Sequence, residues 1–175
     1  GHWTANNLWD TQFYLGGSDN QLWVGGMINM GPSASALQTG TYADNDYEIL
    51  FDTLAKTDVG YIYMTALNGW RGIKVTGTGY GSLNFFGGTY EGYNSGATRA
   101  PGTVIRLEGG NGTFYGPHVG QAMMSPDAAE GGYVHMTGGE WNFISPHFYH
   151  GSTADTVPAI YQTGGRLMVT GATKG

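Results

Sequence analysis

Pairs of adjacent glycines recur at regular intervals in the C-terminal half of this chain. The pairs begin at Gly109, Gly138 and Gly164, so 29 and then 26 residues separate them. The segments that align on these pairs are residues 104–118, 133–147 and 159–171. A repeat of this kind constrains the fold more than any local propensity, because repeated units stack on one another and share one core.

Weaker copies extend the repeat towards the N-terminus. We align Gly87-Gly88, Thr65-Ala66 and, more distantly, Gly25-Gly26 with the later pairs, which predicts units of roughly 22–29 residues. Within a unit, apolar and polar residues alternate, as where Ile105 and Leu107 flank a polar residue. Successive side chains of a strand point to opposite faces, so each unit is predicted to be a short strand, a glycine corner and a second strand.

Three apolar residues stand at the same distance from their glycine pairs: Phe114, Phe143 and Val169. They are predicted to stack in one interior column, with a rise of about 4.8 Å per unit. Short strands in repeated units favour an all-β parallel β-helix. The alternative is a β-sandwich, which would require antiparallel hairpins with tight turns.

Composition narrows the function classes. The 175 residues suit one domain, 1–175, and we expect it to be a fragment of a longer protein, with residues 1–2 left from cloning. Aromatic residues make up 14% of the chain, which argues against disorder. A net charge of −6 with seven basic residues disfavours nucleic acid as a partner. There is no cysteine, and the longest apolar run, residues 61–64, is too short to insert into a membrane.

No cofactor is expected from the glycine-rich motifs. Residues 109–114 resemble a calcium-binding nonapeptide, but Phe114 stands where the ligand aspartate belongs. Residues 77–81 have the glycines of a phosphate loop without its Lys-Ser/Thr ending, and are predicted to be a turn.

A family resemblance rests on residues 87–93 and 138–143, glycine pairs followed by aromatic residues in a charge-poor chain. They resemble the rungs of bacteriophage tailspikes and, more widely, of the pectate-lyase-like β-helix superfamily. The resemblance covers roughly residues 60–170 and implies a homotrimer of right-handed β-helices on a virion tail or in the extracellular space. It also implies binding, and often cleavage, of host surface polysaccharide. No catalytic motif of the family is matched residue by residue.

The alignment places polar residues of successive units in outward columns. The candidate ligand-binding residues are Glu140, His135, Tyr161, Arg166 and Arg106. Such a mixture suits the recognition of sugar hydroxyls. The alternative is an ordinary solvated face, on which a Glu140–Arg166 ion pair would contribute only about 0–1 kcal/mol.

Hydrolysis of a glycoside requires two carboxyl groups at a defined separation. Glu140, Glu108 and Glu91 are weak candidates, which the alignment places in neighbouring columns, and loops 126–132 and 151–158 of a neighbouring subunit are expected to be able to complete a site.

Two clusters raise the question of a metal, although none is predicted. His118 and His147 each follow a proline at equivalent positions, with His150 nearby; a repeated turn explains them better than a metal site does. Asp44, Asp46 and Glu48 alternate, as in a cation site or a solvated turn.

We therefore expect a fragment of a trimeric tailspike or tail fibre that attaches to host surface polysaccharide. The enzymatic alternative is a polysaccharide depolymerase that acts through surface carboxylates. A third alternative is a bacterial extracellular β-helix adhesin, which is expected to be monomeric.

Overall fold

The computed structural model describes residues 2–5, 13–15, 21–24, 27–30, 49–51, 59–63, 66–69, 72–77, 82–92, 104–121, 133–150 and 158–175. Nineteen strands lie within these ranges: β1 His2–Ala5, β2 Phe13–Leu15, β3 Gln21–Val24, β4 Met27–Met30, β5 Ile49–Phe51, β6 Val59–Tyr63, β7 Ala66–Gly69, β8 Ile73–Val75, β9 Ser82–Phe86, β10 Thr89–Gly92, β11 Ile105–Leu107, β12 Asn111–Tyr115, β13 His118–Gln121, β14 Val134–Met136, β15 Glu140–Ile144, β16 His147–His150, β17 Ile160–Gln162, β18 Arg166–Thr170 and β19 Thr173–Lys174. No helix in this part of the chain is long and apolar enough to cross a membrane.

The strands form three parallel sheets, which the chain visits in rotation. Sheet A contains β1, β4, β7, β10, β13, β16 and β19; sheet B runs from β2 to β17 and sheet C from β3 to β18, each in steps of three strands. This order is consistent with a parallel β-helix whose rungs each take one strand from B, then C, then A. We number the six rungs I (β2–β4) to VI (β17–β19). The prediction of an all-β chain with parallel strands is confirmed. Every described strand pair is parallel, unlike the antiparallel hairpins of a β-sandwich.

The glycine pairs of rungs IV to VI lie at the corner between sheets B and C, as predicted. A Cβ atom on Gly138 would lie 2.4 Å from the carbonyl oxygen of Glu108 in the preceding rung, closer than any side chain tolerates. The next residue, Gly139, has a φ of 82°, in the left-handed region that glycine adopts without strain. The first glycine therefore leaves room for the backbone of the preceding rung. The second allows the chain to turn into sheet C.

The alignment of the earlier units is wrong by one strand. Because β9 pairs with β12, Gly87-Gly88 follows a sheet C strand and lies at the corner between sheets C and A. In the same way, Gly25-Gly26 stands in sequence between β3 of sheet C and β4 of sheet A. The predicted range of unit lengths is also too narrow, because Gln21 pairs with Val59, which lies 38 residues later in the sequence.

The corner between sheets B and C varies in length without disturbing the strands around it. Val75 pairs with Leu107 before the corner, and Ser82 pairs with Asn111 after it. In rung III, six residues lie between Val75 and Ser82. In rung IV, only three lie between Leu107 and Asn111. The strands on either side thus keep their register although this connection is three residues longer in rung III.

Side chains that point inward from the three sheets form one continuous core. Phe85, Phe114 and Phe143 are fully buried, and their rings stack with centroid separations of 4.4 and 4.7 Å, about the spacing of neighbouring strands. Val169 continues the column in register with Phe143 but is 39% exposed, because it lies on the last strand of sheet C. The predicted interior column is confirmed, although Val169 is less buried than predicted.

A neighbouring interior column alternates small and large residues. Gly112 lies in register with Trp141, and a Cβ on Gly112 would come within 2.8 Å of the indole ring. The missing side chain leaves room for that ring, whose Nε1 donates a buried hydrogen bond to the Gly109 carbonyl oxygen at 3.0 Å. Tyr90 packs edge-on against Phe114, and burial raises the pKa of its hydroxyl far above the usual value.

Candidate functional site

The predicted ligand-binding residues divide between two sheets. Arg106, His135 and Tyr161 lie in register in one column of sheet B. Glu140 and Arg166 lie in register on sheet C, on the far side of the glycine corner. The residues of each group are therefore stacked on successive rungs, as predicted, but the two groups lie on adjoining faces.

The column on sheet B is organised around one carboxylate. Arg106 Nε lies 2.7 Å from Glu108 Oε1, and Lys74 Nζ lies 3.4 Å from the same oxygen. One rung later, the His135 ring lies against that of Tyr161, with centroids 5.3 Å apart and planes inclined by 49°. Two cations thus engage Glu108, while Tyr161 at the end of the column is 42% exposed.

On sheet C, the Glu140–Arg166 ion pair is formed, with 3.3 Å between Arg166 Nη1 and Glu140 Oε1. The side chains are 51% and 83% exposed, so solvent screens the attraction and the contribution to stability is small. In the next outward column, Asn142 Nδ2 donates a hydrogen bond to Thr113 Oγ1 at 3.3 Å. These side chains border a shared depression.

That depression is a groove of about 370 Å³ on the outer side of sheet C. Its lining residues are Ser82, Asn111, Gly112, Thr113, Glu140, Trp141, Asn142, Arg166, Leu167 and Met168. They come from four successive strands of the sheet, so the groove runs along the stack for about 14 Å at one strand spacing per rung. Amide, hydroxyl and charged groups within it can donate hydrogen bonds and accept them.

A ladder of aromatic rings borders the same face, and sequence reasoning missed it. Tyr63, Phe86 and Tyr115 are in register on successive strands, and their rings stack with centroids 4.8 and 4.9 Å apart. Because the planes lie within 18° and 3° of each other, the rings face one another and turn their edges outward. Correct placement of Gly87-Gly88 after β9 would have aligned these residues.

The candidate catalytic carboxylates lie in three different places. Glu140 is in the groove, Glu108 is at the corner after β11, and Glu91 is on β10 of sheet A. The prediction that Glu91 occupies a column next to Glu140 is wrong, because it depended on the misplaced glycine pair. Loop 126–132 and residues 151–157 lie outside the described residues.

The paired histidines do stack, as their equivalent positions indicate. The His118 and His147 rings have centroids 4.2 Å apart, and His147 Nδ1 is in hydrogen-bond contact with Thr173 Oγ1 at 2.8 Å. Tyr149 lies beside His118, with centroids 5.1 Å apart. Within the described residues, no group of three or more His, Asp or Glu side chains could hold a metal ion.

Four of the residues considered as metal ligands are not covered by this description. Asp44, Asp46 and Glu48, as well as the side chain of His150, lie outside the described residues.

Comparison with protein-family models, with characterised proteins and with solved structures finds no match for this chain.

Proposed function

We propose that this chain is part of a homotrimeric, right-handed β-helical tailspike or tail fibre that attaches a virion to polysaccharide on the host surface. The observation that carries the proposal is the groove on sheet C, which is open to solvent and lined over four strands by amides, hydroxyls and one ion pair. A linear glycan offers repeated hydroxyl groups that both donate and accept hydrogen bonds, and this lining matches them.

The composition of the groove favours binding over cleavage. Glu140 is the single carboxylate among the described residues that line it, whereas glycoside hydrolysis requires two. Glu140 is also engaged by Arg166. Release of reducing ends from host polysaccharide would establish the depolymerase alternative, and binding without such release is the result expected here.

The binding surface is tested by removing two of the amides. We expect Asn111→Ala combined with Asn142→Ala to lower the affinity for host surface polysaccharide about tenfold or more, since each lost hydrogen bond costs about 0.5–1.5 kcal/mol. Affinity is measured by calorimetry on polysaccharide that a glycan array has selected. Thermal melts establish that the variant is folded.

Tyr161→Ala is the matched control, because Tyr161 is exposed but lies on sheet B. It should leave the affinity unchanged. The opposite result, with Tyr161→Ala weakening binding and the amide variant retaining it, would move the site to the column of Arg106, His135 and Tyr161.

A further inference from the structure

We infer that the polysaccharide which occupies the sheet C groove is uncharged; this inference rests on the proposed function. Its first basis is the balance of charge in the groove. Among the described residues, the lining contains one anion, Glu140, and one cation, Arg166, and the two are paired at 3.3 Å. The other polar side chains of the lining are amides and hydroxyls, so the groove presents no surplus charge.

Recognition of an acidic sugar requires an available cation, usually an arginine that grips the carboxylate with two parallel hydrogen bonds. Arg166 is the one arginine among the described residues of the lining, and its Nη1 contacts Glu140 Oε1. On the neighbouring face, Lys74 and Arg106 both contact Glu108. Each of these three described cations therefore has a carboxylate of the protein beside it, which offsets its charge.

The net charge of the whole chain also disfavours an acidic polysaccharide. Thirteen acidic residues against seven basic ones give a net charge of −6, which repels a polyanion before it reaches the groove. An uncharged chain of sugars avoids that repulsion, and its hydroxyls suit the side chains of Asn111, Thr113 and Asn142.

The test uses polysaccharides that differ in charge alone. Bacterial surface polysaccharides containing uronic acids are compared in their native form and after reduction of the carboxyl groups to alcohols, which preserves backbone and linkages. Neutral surface polysaccharides complete the panel. We expect every polymer that binds to bind at least tenfold more tightly in its reduced form, with an affinity that changes little between about 50 and 500 mM salt.

Two variants test whether the preference for an uncharged polysaccharide arises in the groove. Glu140→Gln leaves Arg166 uncompensated and should shift the ratio of affinities several-fold towards the acidic form, whereas Arg166→Gln should shift it the other way. Thr173→Ala, at an exposed position on sheet A, should leave the ratio unchanged.

The possible failures are distinguishable. Tighter binding of native acidic forms, weakening as salt rises, would overturn the inference and leave the proposed function intact. A ratio that neither groove variant alters would also overturn it, because the discrimination would then arise elsewhere. Failure of the whole panel to bind, neutral polymers included, would count against the proposed function and the inference together.

Discussion

At the scale of single residues, the corner between sheets B and C and the corner between sheets C and A impose different demands on glycine. Gly138 has no room for a Cβ because the Glu108 carbonyl oxygen occupies that space. Gly116, at the corner between sheets C and A, has open space around a Cβ but a φ of 60°. One position is limited by contact with the preceding rung and the other by backbone conformation.

This difference predicts unequal costs for the same substitution. Gly138→Ala should lower the free energy of unfolding by about 3 kcal/mol, because relief of the clash would displace a hydrogen-bonded strand. Gly116→Ala should cost only about 1–2 kcal/mol, the penalty for a left-handed residue with a Cβ. Urea unfolding of both variants measures the two values; equal losses would contradict the close approach at Gly138.

At the scale of elements, much of the C-terminal part of the coil follows from its sequence. The alternation in β11 and β14 and the glycines after them predicted the faces and the register of rungs IV to VI. The earlier rungs were misaligned because both corners select for positive φ: Gly87 has 66° and Gly110 has 67°. A glycine pair therefore marks a corner without showing which of the two it is.

Likewise, only part of the candidate site could be predicted from the sequence. Stacking of Glu140 on Arg166 and of His135 on Tyr161 follows from register alone. The groove does not, because its lining combines three neighbouring columns whose spacing depends on how the strands lie in the sheet. The separation of the two groups onto sheets B and C likewise depends on the angle of the corner between them.

The two faces of β15 should respond differently to alanine. Phe143→Ala removes a ring that is fully buried and stacked on Phe114, and should lower the free energy of unfolding by about 3–5 kcal/mol. Asn142→Ala should cost about 1 kcal/mol, because the structure adds a hydrogen bond to Thr113 that the sequence did not predict. Comparable losses in thermal melts would show that the faces are assigned wrongly.

At the scale of the whole molecule, the chain has few charges, and several large apolar side chains are exposed among the described residues. Charged residues make up 11% of the chain, and Tyr63 and Tyr115 remain exposed on the aromatic ladder. Exposed apolar surface of this kind is commonly covered in an assembly. This surface supports the proposed trimer, as does the resemblance to tailspike rungs.

Sedimentation equilibrium at micromolar concentration tests the assembly. We expect a mass three times that of the 18.6 kDa chain. A mass near that of one chain would contradict the trimer and favour the adhesin alternative. Measurement at two salt concentrations serves as the control, because an interface formed by apolar contacts should persist when charges are screened.

The corner of rung III, with its three additional residues between strands that remain in register, has a consequence for how such a chain can evolve. Insertions and deletions at a corner change what the surface displays and leave the ladder beside it intact. Loops can therefore diversify independently of the frame that holds the groove. A lineage could therefore change its exposed loops rapidly while retaining one inherited scaffold.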